Sequence, residues 1–161
     1  MPKHLSVTGI GPYYVSLIAV LTLLSYLGTK FNYLPYHPIL ENPLLIIIIA
    51  ILLIILGIYI WACAFFKAKI GKNILDNHLV TDGIYAWVRN PIYTAFMFVA
   101  WGLILLINNL YLLPLCLLYW LILTLMLKPT EEKWLKEFYG QAYIDYMQHV
   151  NRCIPWFPKH K

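Results

Sequence analysis

Charge is scarce in this chain: only 12% of its 161 residues are Asp, Glu, Lys or Arg, where a soluble domain carries about a quarter. Hydrophobic residues make up 61%, with a mean hydropathy of +0.70, so an ordinary soluble domain is excluded. Cysteine is scarce too. Cys63, Cys116 and Cys153 form an odd set, two of them inside apolar runs and none at metal-ligand spacing, so neither a disulfide framework nor a metal site is expected. A Gly-x-Gly-x-x-Gly dinucleotide fingerprint is missing, and Gly9-Ile10-Gly11 is only an isolated fragment ahead of an apolar run. No small-residue cleavage pattern follows that run, which is therefore read as a mature helix and not as a signal peptide. The net charge of +5 sits at the flanks of apolar runs and builds no basic face, which argues for anionic lipid headgroups and against nucleic acid.

What the chain does have is apolar sequence in lengths that match a bilayer, which a helix of about 20 residues crosses. Four transmembrane helices are expected, over about 11–28, 43–66, 93–107 and 110–128. The aliphatic run 44–56 is too long for a strand. Pro35, Pro38 and Pro43 make the segment between the first two spans a loop, because proline denies the backbone its helical hydrogen bonds. Asn108-Asn109 alone separates the last two, which forces an antiparallel hairpin. With four spans, eleven of the twelve basic residues fall on one side and only Lys30 on the other, so both termini are expected to be cytoplasmic. Beyond Pro129, Trp134, Leu135, Phe138, Ala142, Tyr143, Tyr146 and Val150 recur at spacings of three and four, which predicts an amphipathic helical segment bent near Gly140. The fold class is an all-α integral membrane protein, with residues 1–161 forming one domain.

Two polar blocks interrupt the apolar sequence, at 77–93 and 129–157, and they are read as one site. Taken singly, their residues have ordinary explanations. Arg89 and the lysines would snorkel to headgroups, Pro91 would begin a helix, and Glu131-Glu132 would complement the positive end of the next one. Taken together, they could present free backbone N–H groups, aromatic faces and an acidic pair to a polar, cationic small molecule.

The order of these residues carries a resemblance. Leu79-Val80-Thr81-Asp82-Gly83-Ile84-Tyr85 is followed by Arg89-Asn90-Pro91-Ile92-Tyr93. Then come Glu131-Glu132-x-x-Leu135, Phe138-x-Gly140-x-x-Tyr143-x-x-Tyr146 and Arg152-x-Ile154-Pro155. The set resembles the isoprenylcysteine carboxyl methyltransferase family, which is related to the membrane phospholipid N-methyltransferases, and it covers Asn77 to Phe157. The resemblance implies a helical membrane enzyme that draws a methyl group from S-adenosyl-L-methionine in a cytoplasmic pocket. The cofactor contacts it implies are Asn77, His78, Leu79, Val80, Tyr85, Asn90, Pro91, Ile92, Tyr93 and Glu131. For the reaction itself the candidates are Arg89, Lys128 and Glu132.

This chain also departs from the family. Asn90 and Asn77 stand where relatives carry His, Leu127 stands where the eukaryotic enzymes carry a substrate-gripping Arg, and His149 stands where many relatives have Arg. Lys128 could take over as a point charge. The expected function is methyl transfer to a membrane-embedded acceptor, with isoprenylcysteine-type carboxyl O-methylation first. Phospholipid or small-amine N-methylation is the alternative, and a catalytically inactive membrane scaffold is the alternative of another class. The expected partners are the lipid bilayer and a hydrophobic or lipid-linked acceptor; no obligate protein partner is inferred.

Overall fold

The computed structural model describes residues 9–67 and 78–157. Among these there is no β-strand, only an isolated bridge between Pro38 and Asn109. The helices are α1 (Gly11–Lys30), α2 (Leu44–Ala62), α3 (Pro91–Leu106), α4 (Leu113–Leu127), α5 (Glu131–Tyr139) and α6 (Gln141–His149). One π-helical turn, Cys63–Lys67, prolongs α2, and short 3-10 turns cover Gly83–Ala86 and Leu110–Leu112.

Three helical stretches are long and apolar enough to cross a membrane: Gly11–Lys30, Leu44–Phe66, and Leu110–Tyr139, which takes in α4, the turn after it and α5. The chain is thus an all-helical integral membrane protein. The span expected over 93–107 differs. It is a 16-residue helix that starts earlier, at Pro91, because proline's fixed φ and missing N–H suit a first helical position. At 1.5 Å per residue it is about 24 Å long, against about 30 Å of bilayer hydrocarbon.

Glycines bring α2 and α3 together. A Cβ on Gly57 would lie 2.7 Å from the carbonyl oxygen of Ala95, and one on Gly102 would lie 2.7 Å from that of Ala50. The two backbones therefore touch directly, as small residues allow between apolar helices. Tyr14, Ile18, Met97, Ile104, Tyr119 and Leu123 fill the core between α1, α3 and α4. Its polar atoms find partners there: the Tyr14 hydroxyl donates to the Tyr119 carbonyl at 3.2 Å, and the Tyr119 and Thr22 hydroxyls lie 3.0 Å apart.

The tight link at Asn108-Asn109 is a clamp as well as a turn. Asn108 adopts a positive φ of 51°, and its amide accepts from Ile39 N–H and donates to the Leu40 carbonyl, both at 3.1 Å. Asn109 is fully buried and donates to the Pro35 carbonyl at 3.0 Å. The proline-rich loop cannot satisfy its own backbone, and the two side chains supply what it lacks. At the other end of the bundle, the expected bend falls at Gly140, where φ is +57° between α5 and α6.

Candidate functional site

Three helices begin around one carboxylate. Glu131 is the first residue of α5, and its Oε1 accepts from the Tyr93 hydroxyl at 2.6 Å, in the first turn of α3. The same oxygen accepts from the backbone N–H of Ile10 at 2.8 Å, where α1 begins without any side-chain cap of its own. Helix starts carry unsatisfied N–H groups and partial positive charge, so a carboxylate is well placed among them.

The neighbouring Glu132 points elsewhere and is enclosed. Arg152 grips it with two bonds, Nε to Oε1 at 2.6 Å and Nη2 to Oε2 at 2.9 Å, and Arg89 Nη2 approaches Oε1 at 3.1 Å. The Glu132 side chain is 3% exposed and that of Arg89 6%, so this pair is held out of water, while Arg152 closes the cluster at its rim with 22% of its side chain exposed. Arg89 Nε and Nη1 are buried and have no hydrogen-bond partner among the described residues.

The two polar blocks are laced together along their backbones. Arg89 N–H donates to Asn151, Asn90 N–H to Arg152, and Trp156 N–H to Trp87. Side chains add to this: the Asn90 amide donates to the Arg152 carbonyl at 3.0 Å, the Thr94 hydroxyl to the Cys153 carbonyl at 2.7 Å, and the Tyr146 hydroxyl to the Tyr85 carbonyl at 2.6 Å. Val80 and Tyr85 are buried against Ala64 at the end of α2, with Ile92 beside them.

Burial sets the ionisation behaviour of this region. It raises the phenols of Tyr85 and Tyr146 well above their ordinary range and pushes Tyr143 up to about 12, with the nearby Arg89 charge pulling the other way. The Cys153 thiol is likewise pushed up to about 12 by burial. The hydrogen bond to Glu132 raises Arg152 further. Beside the site, an apolar groove of about 930 Å³ runs from Leu53 and Leu56 on α2 to Asp82, Gly83 and Trp87. Ile154 to Phe157 form its other wall.

Of the residues picked out in the sequence, Tyr93 and Glu131 are hydrogen-bonded to each other, Arg89 and Glu132 are ion-paired, and Asn90 and Pro91 lead into α3. Leu79 packs with Tyr143, Tyr146 and Val150. His78 is exposed, and Asn77 lies outside the described residues. Lys128 is exposed at the end of α4, while Leu127 beside it is fully buried in the core. His149 bonds within its own helix, to the Asp145 carbonyl at 2.7 Å. Sequence reasoning gave no role to Arg152 as partner of Glu132, and set Gly9-Ile10 aside. An arginine twenty residues after a glutamate carries no periodic signal, and backbone donors carry no signal at all.

The phospholipid methyltransferase family model matches residues 43–142. Among curated proteins, the protein-S-isoprenylcysteine O-methyltransferase of Tribolium castaneum is 37% identical over 90 residues, which cover 53% of this chain and 31% of that protein. The one from Schizosaccharomyces pombe is 39% identical over 88 residues, covering 54% and 37%. Protein-S-isoprenylcysteine O-methyltransferase A of Arabidopsis thaliana is 30% identical over 145 residues, covering 88% and 73%. The chain therefore spans about a third of the first two relatives and nearly three quarters of the third. No solved structure matches it significantly.

Proposed function

Because the chain belongs to the phospholipid methyltransferase family, we propose that it transfers a methyl group from S-adenosyl-L-methionine to a membrane-embedded acceptor, an isoprenylcysteine-type carboxylate first. The observation that carries this reading is the Glu131 carboxylate, held by Tyr93 and Ile10 where three helices begin. The residues fit such a cofactor. Glu131 offers a carboxylate to a cation, the orphaned donors of Arg89 suit an anionic group, and buried tyrosines offer apolar faces to a flat ring. Asn77 to Val80, Tyr85, Asn90 to Tyr93 and Glu131 would hold it. When bound, the cofactor supplies an electrophilic methyl group on a sulfonium.

The protein's own contribution is alignment and exclusion of water, and alignment can account for most of the acceleration. A carboxylate acceptor needs no general base. Glu132, shared between two arginines, holds Arg89 and Arg152 in place. Lys128, exposed at the end of α4, is a cation that an acceptor carboxylate could meet. The apolar groove that runs from α2 to Gly83 suits a lipid-linked acceptor. In the membrane we place four crossings, α3 being a short one, with the Gly11 end of the bundle in the cytoplasm on the strength of the basic residues there.

One observation favours a second reading. Among the described residues Asp82 lines the groove and no Lys, Arg or His does, which suits an amine acceptor such as a phospholipid headgroup. Calorimetry on detergent-solubilised protein tests the cofactor. Binding is expected, and Glu131→Gln is expected to weaken it by about 1.5–3 kcal/mol, roughly ten- to a hundredfold. No binding by the parent protein would leave the inactive scaffold as the reading. A panel of prenylcysteine and amine acceptors with labelled cofactor then separates the two enzymes.

A further inference from the structure

The start of α1 meets Glu131 through backbone alone. Gly9 stands at φ +46°, in the left-handed region that residues with a side chain rarely adopt. A Cβ there would overlap Glu131 Oε1 outright and lie 2.9 Å from its Cδ and 3.2 Å from the Tyr93 hydroxyl oxygen. The next residue, Ile10, donates its N–H to that same Oε1. Gly11 continues the contact, since its Cβ would lie 3.2 Å from the Tyr93 ring. One short turn therefore limits how far the carboxylate can swing and also supplies one of its donors. It does so from 121 residues upstream, outside the stretch matched by the family model.

We propose that Gly9 and Ile10 are positioning residues for the cofactor site, acting through Glu131: the absent side chain at Gly9 and the N–H of Ile10 together fix where the carboxylate stands. This rests on the reading of Glu131 as a cofactor contact. The contact could instead serve only to anchor α1, in which case a change at Gly9 would lower stability and leave ligand affinity alone. The two roles separate because only the first makes the effects of Gly9 and Glu131 on cofactor affinity depend on each other; an anchor would couple them in stability alone.

A double-mutant cycle on the full-length chain in detergent tests this, with S-adenosyl-L-methionine affinity as the readout and thermal unfolding measured alongside. Gly9→Ala is expected to weaken cofactor binding about tenfold, the lower end of what losing a charge-assisted contact costs. Adding Gly9→Ala to Glu131→Gln should weaken it no further. Ile10→Pro, which replaces the N–H with a ring carbon at a φ of −85° that proline nearly matches, should behave the same way. It carries the same test where Gly9→Ala gives no folded protein. Unchanged affinity in folded Gly9→Ala or Ile10→Pro, or losses that simply add to that of Glu131→Gln, would overturn the positioning role. Should Glu131→Gln itself bind the cofactor as tightly as the parent, the failure belongs to the cofactor-site reading.

Discussion

Arg152 holds both oxygens of Glu132 across twenty residues of sequence, and in doing so draws the last described segment of the chain against the loop before α3. Arg89 reaches the same carboxylate from that loop. One buried anion thus joins α5 to both segments, and the backbone pairing of Arg89 with Asn151 runs alongside it.

Removing the anion should be costly. Glu132→Gln leaves the buried guanidinium of Arg89 without its anion and beside a second cation, Arg152, and breaking a buried pair in this way costs about 3–5 kcal/mol. Denaturant or thermal unfolding in detergent should show that loss, while Lys133→Gln, on the exposed neighbour, should stay within about 0.5 kcal/mol. A Glu132→Gln protein as stable as the parent would mean that the cluster does not hold these segments together.

The clamp at the opposite end gives an independent prediction. Asn109→Ala removes the side chain that bonds the Pro35 carbonyl and the Tyr111 N–H in part-buried contacts, at about 0.5–1.5 kcal/mol for each bond lost. Asn109→Asp should also destabilise, because a carboxylate cannot donate to the Pro35 carbonyl. Cofactor affinity should be unchanged in both variants, since the clamp lies at the far end of the bundle from Glu131.

Cys153 supplies a test by pH. Its thiol is pushed up to about 12 by burial, so at pH 8 it is held as the thiol. Maleimide should label it more than about a hundredfold more slowly in the folded protein than after unfolding, as followed by mass spectrometry. A folded-state pKa raised above the unfolded value favours the fold at lower pH. The contribution is complete below about 9, the ordinary thiol value, and is lost as pH climbs toward 12. Rapid labelling at pH 8 would show that the segment around Cys153 opens readily.

For the acceptor, Lys128→Ala should raise the KM for a carboxylate substrate several-fold, and leave cofactor affinity unchanged, because Lys128 is exposed and stands apart from the bonds that hold Glu131. An amine acceptor predicts no such rise and a rate that increases with pH as the amine loses its proton. Equal KM values for parent and variant on a prenylcysteine would remove Lys128 from the reaction.

Much of this was legible in the residue order, for a definable reason. Long apolar runs, the proline-rich loop, the two-residue link at Asn108-Asn109 and the break at Gly140 are local signals, and the helices follow them. The association of the two polar blocks was also legible, because their residues occur as a set. Partners across the bundle were not. Periodicity shows which face of α5 is apolar, but it cannot show that Glu132 lies buried between Arg89 and Arg152 while Glu131 meets Tyr93. The asparagines were read as turn formers, yet their side chains bond a loop some seventy residues upstream. Proline at position 91 places the start of α3 two residues before Tyr93, since its fixed φ and missing N–H suit the first helical position.

The glycine contact between α2 and α3 has a bearing on traffic. With Gly57 against the Ala95 backbone and Gly102 against that of Ala50, no gap between these helices admits a hydrocarbon chain. Under the proposed function, an acceptor that diffuses in the plane of the bilayer would enter by a flank of this pair. On the α2 flank the doorway is the groove between α2 and the segment Ile154 to Phe157, which leads to Gly83. The two glycines thus act as a closed seam, and the apolar grooves of this bundle lie to either side of it, between α1 and α3 and between α2 and the segment Ile154 to Phe157.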